Sequence, residues 1–303
     1  MTVYVEDPAR LGESALPDGR RLGWAEWGPP DGVPVLLCPG AATSRWLGVG
    51  AGAADALGVR LVSVDRPGLG ASTPAPGRTF ADFAADIRRL CALRGLGRPA
   101  AVGNSQGAPF ALACAVEGAV SALAVVSGAD EVAAPAFAPS LPPEVRGLVE
   151  RTAADPAGAE EFFAGFTADA MRTLVMSASP ETDLAVYREP GFAAAYRRAL
   201  EEGFAQGAAG NARDTVLAMG RWPFALRAIG VPVRIWYGER DESHSPDHGA
   251  TLAARMPGAR RRVVEGAGGA LLWTHTEEIL AGLIRDMDRE RAHRATDRNR
   301  DAS

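Results

Sequence analysis

RPAAVGNSQGAPF, residues 98–110, is the stretch from which the rest of the chain can be read. Residues 98–103 form a short apolar run bounded by Pro99 and Gly103, the mark of a buried strand. Gly103-Asn104-Ser105-Gln106-Gly107 follows at once, and then PFALACAVEG, an Ala-rich run of helical composition. Strand, G-x-S-x-G and helix in succession are the context of a nucleophile elbow, a turn so sharp that its serine is held in a strained backbone. The positions two residues away must be nearly free of side chain, and Gly103 and Gly107 meet that demand. Ser105 is then expected at the top of a sheet. The N-terminus of the following helix, with its partial positive charge, favours a developing anion there. A plain Gly/Ser turn is the alternative, and it leaves the flanking strand and helix unexplained.

Outward from this stretch, residues 33–38, 59–64, 121–127, 231–237 and 261–265 read as further strands, and residues 11–27 as two strands joined by Pro17-Asp18-Gly19. Residues 46–57 and 79–94 read as helices. In the second, Phe80, Phe83, Ile87, Leu90 and Cys91 recur at helical spacing. Strands alternating with helices predict an α/β fold whose mostly parallel sheet is covered on both faces. From about residue 130 to 227 only helical stretches occur, at 142–153, 158–177, 180–188, 191–205 and 207–219, punctuated by prolines. Such a length is too great for a loop. It is expected to be a helical lid inserted between strands 6 and 7, with an independent helical domain as the alternative. The expected division is a core of 1–130 and 229–292, a lid of 131–228 and a frayed polar tail of 293–303. Helices are expected at 246–256 and at 271–292.

The whole chain narrows the function. Of its 303 residues 47% are hydrophobic and 23% charged, as in ordinary globular proteins. A net charge of −5 and the lack of a basic stripe argue against nucleic acid as a partner. Every cationic side chain is Arg; there is no Lys. Cys38, Cys91 and Cys114 lie in apolar or helical contexts and read as buried free thiols of a reducing compartment. With no signal-like N-terminus and no apolar run of about 18 residues, a cytoplasmic location without a membrane partner is expected. No phosphate-cradling Gly-rich loop follows an early strand, so no organic cofactor is predicted. The oligomeric state is not readable.

In this order and spacing, VLLCPGAATSR, SVDRPGLGAST, VGNSQG, the helical insertion and VRIWYGERD resemble the α/β-hydrolase fold family over nearly the whole chain. The resemblance implies a serine hydrolase, although this scaffold hosts many chemistries. It casts Ser105 as nucleophile. The oxyanion donors would be the backbone N–H of Gln106 and one from the loop after residues 33–38. Relatives have His-Gly in that loop. Here Pro39-Gly40 stands instead, which leaves the Ala41 N–H as donor ahead of that of Ala42. Asp241, closing Gly238-Glu239-Arg240-Asp241, matches the acid that orients the catalytic histidine, and Asp130 is the runner-up.

The histidine departs from the pattern. The family's Gly-x-Gly-His would place it at position 269, which is glycine and cannot take a proton. The four histidines are His244, His248, His275 and His293. His293 falls in the tail, while His275 and His248 read as helix residues. His244, three residues after Asp241 in Glu242-Ser243-His244-Ser245-Pro246, lies on a loop that rims the same pocket. It is either a displaced base or a rim residue. A metal held by Asp241, His244 and His248 is disfavoured, because Pro246 spoils the ligand spacing. Three functions remain. The first is a serine hydrolase of an ester, lactone or related acyl small molecule with an atypical triad of Ser105, Asp241 and His244. The second is an enzyme of elimination or isomerisation, which the glycine at 269 favours. The third is a non-catalytic binder. The pocket is expected to be walled by the lid, Trp46 and Trp222, for a partly apolar substrate; Phe162, Phe163, Phe166, Met171, Met176 and Tyr187 give the lid apolar surface and read mostly as lid core at helical spacing.

Overall fold

The computed structural model describes residues 4–50 and 52–301, with side chains through residue 292. Among these, strands β1 (Arg10–Ala15), β2 (Arg21–Trp27), β3 (Val33–Cys38), β4 (Val59–Val64), β5 (Ala100–Ser105), β6 (Ala122–Gly128), β7 (Val233–Gly238) and β8 (Arg260–Val264) form one sheet. Its order is β1-β2-β4-β3-β5-β6-β7-β8. The β1–β2 and β2–β4 pairs are antiparallel and the others parallel. β3 pairs with both β4 and β5, so chain order reverses beside it and a crevice opens at the carboxyl ends. The register sets Cys38 opposite Gly103, which places the loop after β3 against the elbow after β5.

The helices in chain order are α1 (Ala53–Ala56), α2 (Phe80–Arg94), α3 (Ala108–Val116), α4 (Pro143–Ala154), α5 (Pro156–Phe163), α6 (Ala168–Ala178), α7 (Glu181–Tyr187), α8 (Pro190–Gly203), α9 (Ala209–Met219), α10 (Ala250–Ala254), α11 (Leu271–Thr274) and α12 (Thr276–Asp301). Thr79 and Asp82 form a capping box that starts α2. On one face of the sheet, Phe80, Phe83 and Phe110 from α2 and α3 pack against Leu36, Val62 and Val125. On the other, Ile279, Leu280 and Leu283 of α12 pack against Val35, Leu61 and Val102. Strands covered on both faces are buried on both, so β6 is buried throughout and β4 and β5 are buried at all but one residue each. The six helices α4–α9 lie between β6 and β7 in the chain.

The insertion is bound to the sheet by buried charge. Asp214 of α9 accepts from Arg66 Nε at 2.6 Å and from Arg78 Nη2, and all three side chains are almost wholly buried. Removing one partner of such a cluster leaves uncompensated charge in a low-dielectric setting. Asp214→Ala is therefore expected to lower the unfolding free energy by about 3–5 kcal/mol, read by chemical denaturation. A loss below about 1 kcal/mol would show that both arginines regain water at no cost.

Several element boundaries differ from the expected ones. The helix expected at 46–57 is found, among the described residues, only at Ala53–Ala56. Gly50 and Gly52 take φ of 38° and 73°, and a Cβ at Gly48 would strike the Trp27 ring, so this stretch winds as glycine-rich loop. The 158–177 stretch divides into α5 and α6, with Thr167 capping the second. In place of a helix at 246–256 there is only α10, because His248 and Gly249 take φ of 51° and 74°. The chain at 271–292 breaks at His275 between α11 and α12, and α12 continues to Asp301, so the backbone of 293–301 is helical. Residues 302–303 of the predicted tail lie outside the described residues.

Candidate active site

Ser105 ends β5 with φ 48°, a left-handed conformation that costs a non-glycine residue free energy. Its neighbours explain the two glycines. A Cβ on Gly103 would stand 2.8 Å from Ala108 Cα, and one on Gly107 would run into the Cys38 carbonyl oxygen. Asn104 braces the turn by donating from its side-chain amide to the Val126 carbonyl at 3.0 Å.

The loop after β3 is set by Arg66. Its guanidinium donates to the carbonyls of Pro39 at 2.5 Å and Gly40 at 2.9 Å. In a trans peptide the N–H points opposite to the C=O, so anchoring the Gly40 carbonyl turns the Ala41 N–H away from Arg66. Ala41 and Gln106 both line the cavity beside Ser105, and Ala42, at φ 51°, does not.

His244 reaches Ser105. Its Nε2 lies 3.1 Å from Ser105 Oγ, and its Nδ1 lies 2.8 Å from Asp241 Oδ1. A carboxylate only accepts, so Nδ1 carries the proton and Nε2 accepts from the serine hydroxyl. Asp241 is buried and also takes the Ser243 N–H at 3.3 Å. Burial pulls the His244 pKa down, but the charge of Asp241, its hydrogen bond and the charge of Asp183 outweigh this, and the imidazole titrates above its ordinary value. Burial pushes Asp241 up, yet the His244 charge and hydrogen bond hold it below the usual carboxylate range.

Asp130 is not paired with the ring. It accepts from the Glu131 N–H at 2.7 Å and the Ser245 hydroxyl at 3.0 Å, and burial raises its pKa to about 6. Its own N–H donates to the His244 carbonyl at 3.2 Å, so it braces the loop from below. The other histidines stand apart. The ring of His248 lies 6.5 Å from that of Tyr237. His275 sits between α11 and α12 with Nδ1 at 2.9 Å from the Thr274 hydroxyl. The side chain of His293 lies outside the described residues.

Position 269 accounts for the displacement. A Cβ on Gly269 would lie 3.0 Å from His244 Cε1 and 3.3 Å from Asp183 Oδ2. The space a histidine at 269 would enter is thus taken by the His244 ring and by a carboxylate that sequence reasoning missed. Asp183 belongs to α7 and accepts from the N–H groups of Gly269 at 2.7 Å and Ala270 at 3.0 Å. A Cβ on Gly268 would also collide with it. Its helix lies 86 residues from Gly269 in the chain, and no local pattern marks the pairing.

Above Ser105 lies a cavity of about 600 Å³, lined by Phe163, Phe166, Met171, Tyr187, Phe192 and Trp273 among others. The charged groups on its wall are Asp130, Asp183, Glu242 and His244, and among the described residues no arginine lines it. The expected walls need correction. Trp222 is buried in the core beneath, stacked on Phe224, Trp46 lies under the Arg198 guanidinium, and Phe162 is exposed; the tryptophan of the wall is Trp273. The three cysteines are free and buried, and burial pushes Cys38 up to about 12 and Cys91 to about 11.

Comparison with known proteins places these features in context. The family model for the alpha/beta hydrolase fold matches residues 33–276. A stretch of 121 residues is 32% identical to proline iminopeptidase of Neisseria meningitidis; the match spans 37% of this chain and only 37% of that protein. An esterase from Rhodococcus sp. ECU1013 superposes with a TM-score of 0.60 at 19% identity, covering 89% of this chain and 96% of its own. The carboxylesterase CesB of Bacillus subtilis gives 0.63 at 18% identity, with 92% of each chain covered. A bromoperoxidase from Bacillus anthracis gives 0.61 at 18%, covering 91% of this chain and 100% of that one. At such identities these likenesses concern the fold.

Proposed function

The chain belongs to the alpha/beta hydrolase fold family, and from that premise we propose that it is a serine hydrolase of esters, lactones or related acyl small molecules. One observation carries the reading: the unbroken line from Ser105 Oγ through the His244 imidazole to the Asp241 carboxylate. His244 Nε2 takes the serine proton as Oγ attacks the acyl carbon. Asp241 keeps the ring in the tautomer that leaves Nε2 free and offsets the imidazolium charge. The N–H groups of Gln106 and Ala41 receive the oxyanion. His244 then returns its proton to the leaving group, and water repeats the sequence to release the acid.

Helices α4–α9 act as a lid whose apolar inner surface receives the greater part of the substrate. With carboxylates and no arginine on the wall, a neutral substrate fits better than an anionic one. The similar proteins include esterases and a proline iminopeptidase, and acyl transfer agrees with those names. The non-hydrolytic alternative drew on the glycine at 269, and a base at hydrogen-bonding distance of Ser105 removes that motive.

A fluorophosphonate probe read by intact mass tests the proposal. One equivalent is expected on Ser105 in the wild type and none in Ser105→Ala; an unlabelled wild type refutes an activated serine. The labelling rate is expected to be low at acid pH and to rise as His244 loses its proton, at a pH above the ordinary histidine value of about 6.5. The stability term has the opposite sign. A base whose pKa is raised on folding stabilises the protein below about 6.5 and loses that contribution as the pH climbs through the folded value.

A further inference from the structure

We propose that Asp183 is a positioning residue for His244: a second carboxylate, carried by an insertion helix, which fills the place left at Gly269 and holds negative charge beside the ring. The inference rests on the serine-hydrolase reading of Ser105 and His244. Its geometry does not depend on that reading.

Three observations converge. Asp183 Oδ2 and the His244 ring atoms Cε1 and Nδ1 all lie within 3.3 Å of the single point where a Cβ on Gly269 would stand. The carboxylate does not swing freely, because the Gly269 and Ala270 N–H groups each donate to one of its oxygens. It is also almost wholly buried, on a wall shared with His244. A fixed charge in a water-poor site acts more strongly than one in solvent. When the Ser105 proton moves to Nε2, the imidazolium thus has a carboxylate hydrogen-bonded at Nδ1 and a second carboxylate near the same point beside the ring. Burial, with the Asp241 charge adding to it, raises the Asp183 pKa above the ordinary carboxylate value, and the two N–H donors and the histidine charge oppose that rise.

The groups that face His244 come from four elements. Asp241, Glu242 and Ser243 share its loop, and Ser105 comes from the elbow. Asp130, after β6, donates its N–H to the His244 carbonyl while its carboxyl engages Glu131 and Ser245. Asp183 comes from α7. Of these, Asp241 and Asp183 carry charge against the ring. The same contacts tie an insertion helix to the turn before α11, so the insertion and the base are held in one register.

The test is NMR titration of the His244 ring in ¹³C-histidine-labelled protein, with His244→Gln giving the assignment, beside the rate of fluorophosphonate labelling. In Asp183→Asn the His244 midpoint is expected to move to lower pH, and labelling at pH 8 to slow by about tenfold, equivalent to about 1.4 kcal/mol of barrier. Asp183→Glu, which keeps the charge, is expected to retain the midpoint. A midpoint unchanged in a stably folded Asp183→Asn would overturn the proposal and reduce Asp183 to a tie between segments. If Asp183→Asn does not fold, Asp183→Ser decides: its His244 midpoint should also lie below that of the wild type, and an unchanged midpoint overturns the proposal. A wild type that the probe never labels defeats the hydrolase reading, while the titration still reports on Asp183.

Discussion

Ser105→Ala is expected to lower kcat/KM for a neutral ester such as p-nitrophenyl butyrate by about 10⁴–10⁶-fold. The residue is small, so the substitution leaves the elbow packed, although alanine must accept the same φ of 48°. What goes is the proposed nucleophile; the proposed N–H donors of Gln106 and Ala41 remain and would sustain a weak residual rate. The size of the loss separates the chemistries. An enzyme of elimination or isomerisation that used Ser105 only to hold an anion would keep a substantial fraction of its turnover. A fall below about 10²-fold would therefore count against an acyl-enzyme.

His244→Ala is expected to cost about as much, because a nucleophile and base that act as one unit fail together. The more telling result lies in the second variant. Gly269 does not occupy the left-handed region, so a side chain there meets crowding and no backbone strain. Its nearest obstacle is the His244 ring itself, at 3.0 Å. Gly269→His alone should place two imidazoles in one space and depress activity. In the His244→Ala background the obstacle is gone, and Gly269→His is expected to recover at least about tenfold over His244→Ala alone. No recovery, in a protein whose fold is intact by circular dichroism, would mean that Asp183 bars the older position by itself.

How far the sequence could be read depends on how local each feature is. The elbow was legible because its demands are local: a strand, two glycines and a helix within a dozen residues. Strand positions came out within a residue or two, since runs covered on both faces must be apolar throughout. Residues 46–50 differ from the expected helix because Gly48 and Gly50 sit in close or left-handed backbone, and His248 does so because its positive φ leaves no mark in composition. Asp241 was legible by its match to the family's acid, while His244 stayed open between a displaced base and a rim residue, because the reach of its ring to Ser105 is not a local property. It depends on what occupies position 269, and that is settled by Asp183 from a distant helix. The exchange of Trp46 and Trp222 for Trp273 on the cavity wall has the same origin, since insertion geometry is a long-range property.

Asp241 and His244 stand three residues apart. In the arrangement with histidine at 269, acid and base sit on loops after different strands, and two separate closures of the chain must each succeed before the three groups meet. The entropy of closing a loop grows with the logarithm of its length, so a contact spanning three residues costs far less order than one spanning tens. Here the acid and base meet as soon as the turn after β7 forms, and one distant closure remains, the 139 residues between Ser105 and His244. Bringing histidine onto the acid's own loop makes the alignment of imidazole and carboxylate a property of a single turn, which the Glu239 and Arg240 N–H groups tie to the Val264 and Ala267 carbonyls at and after the end of β8.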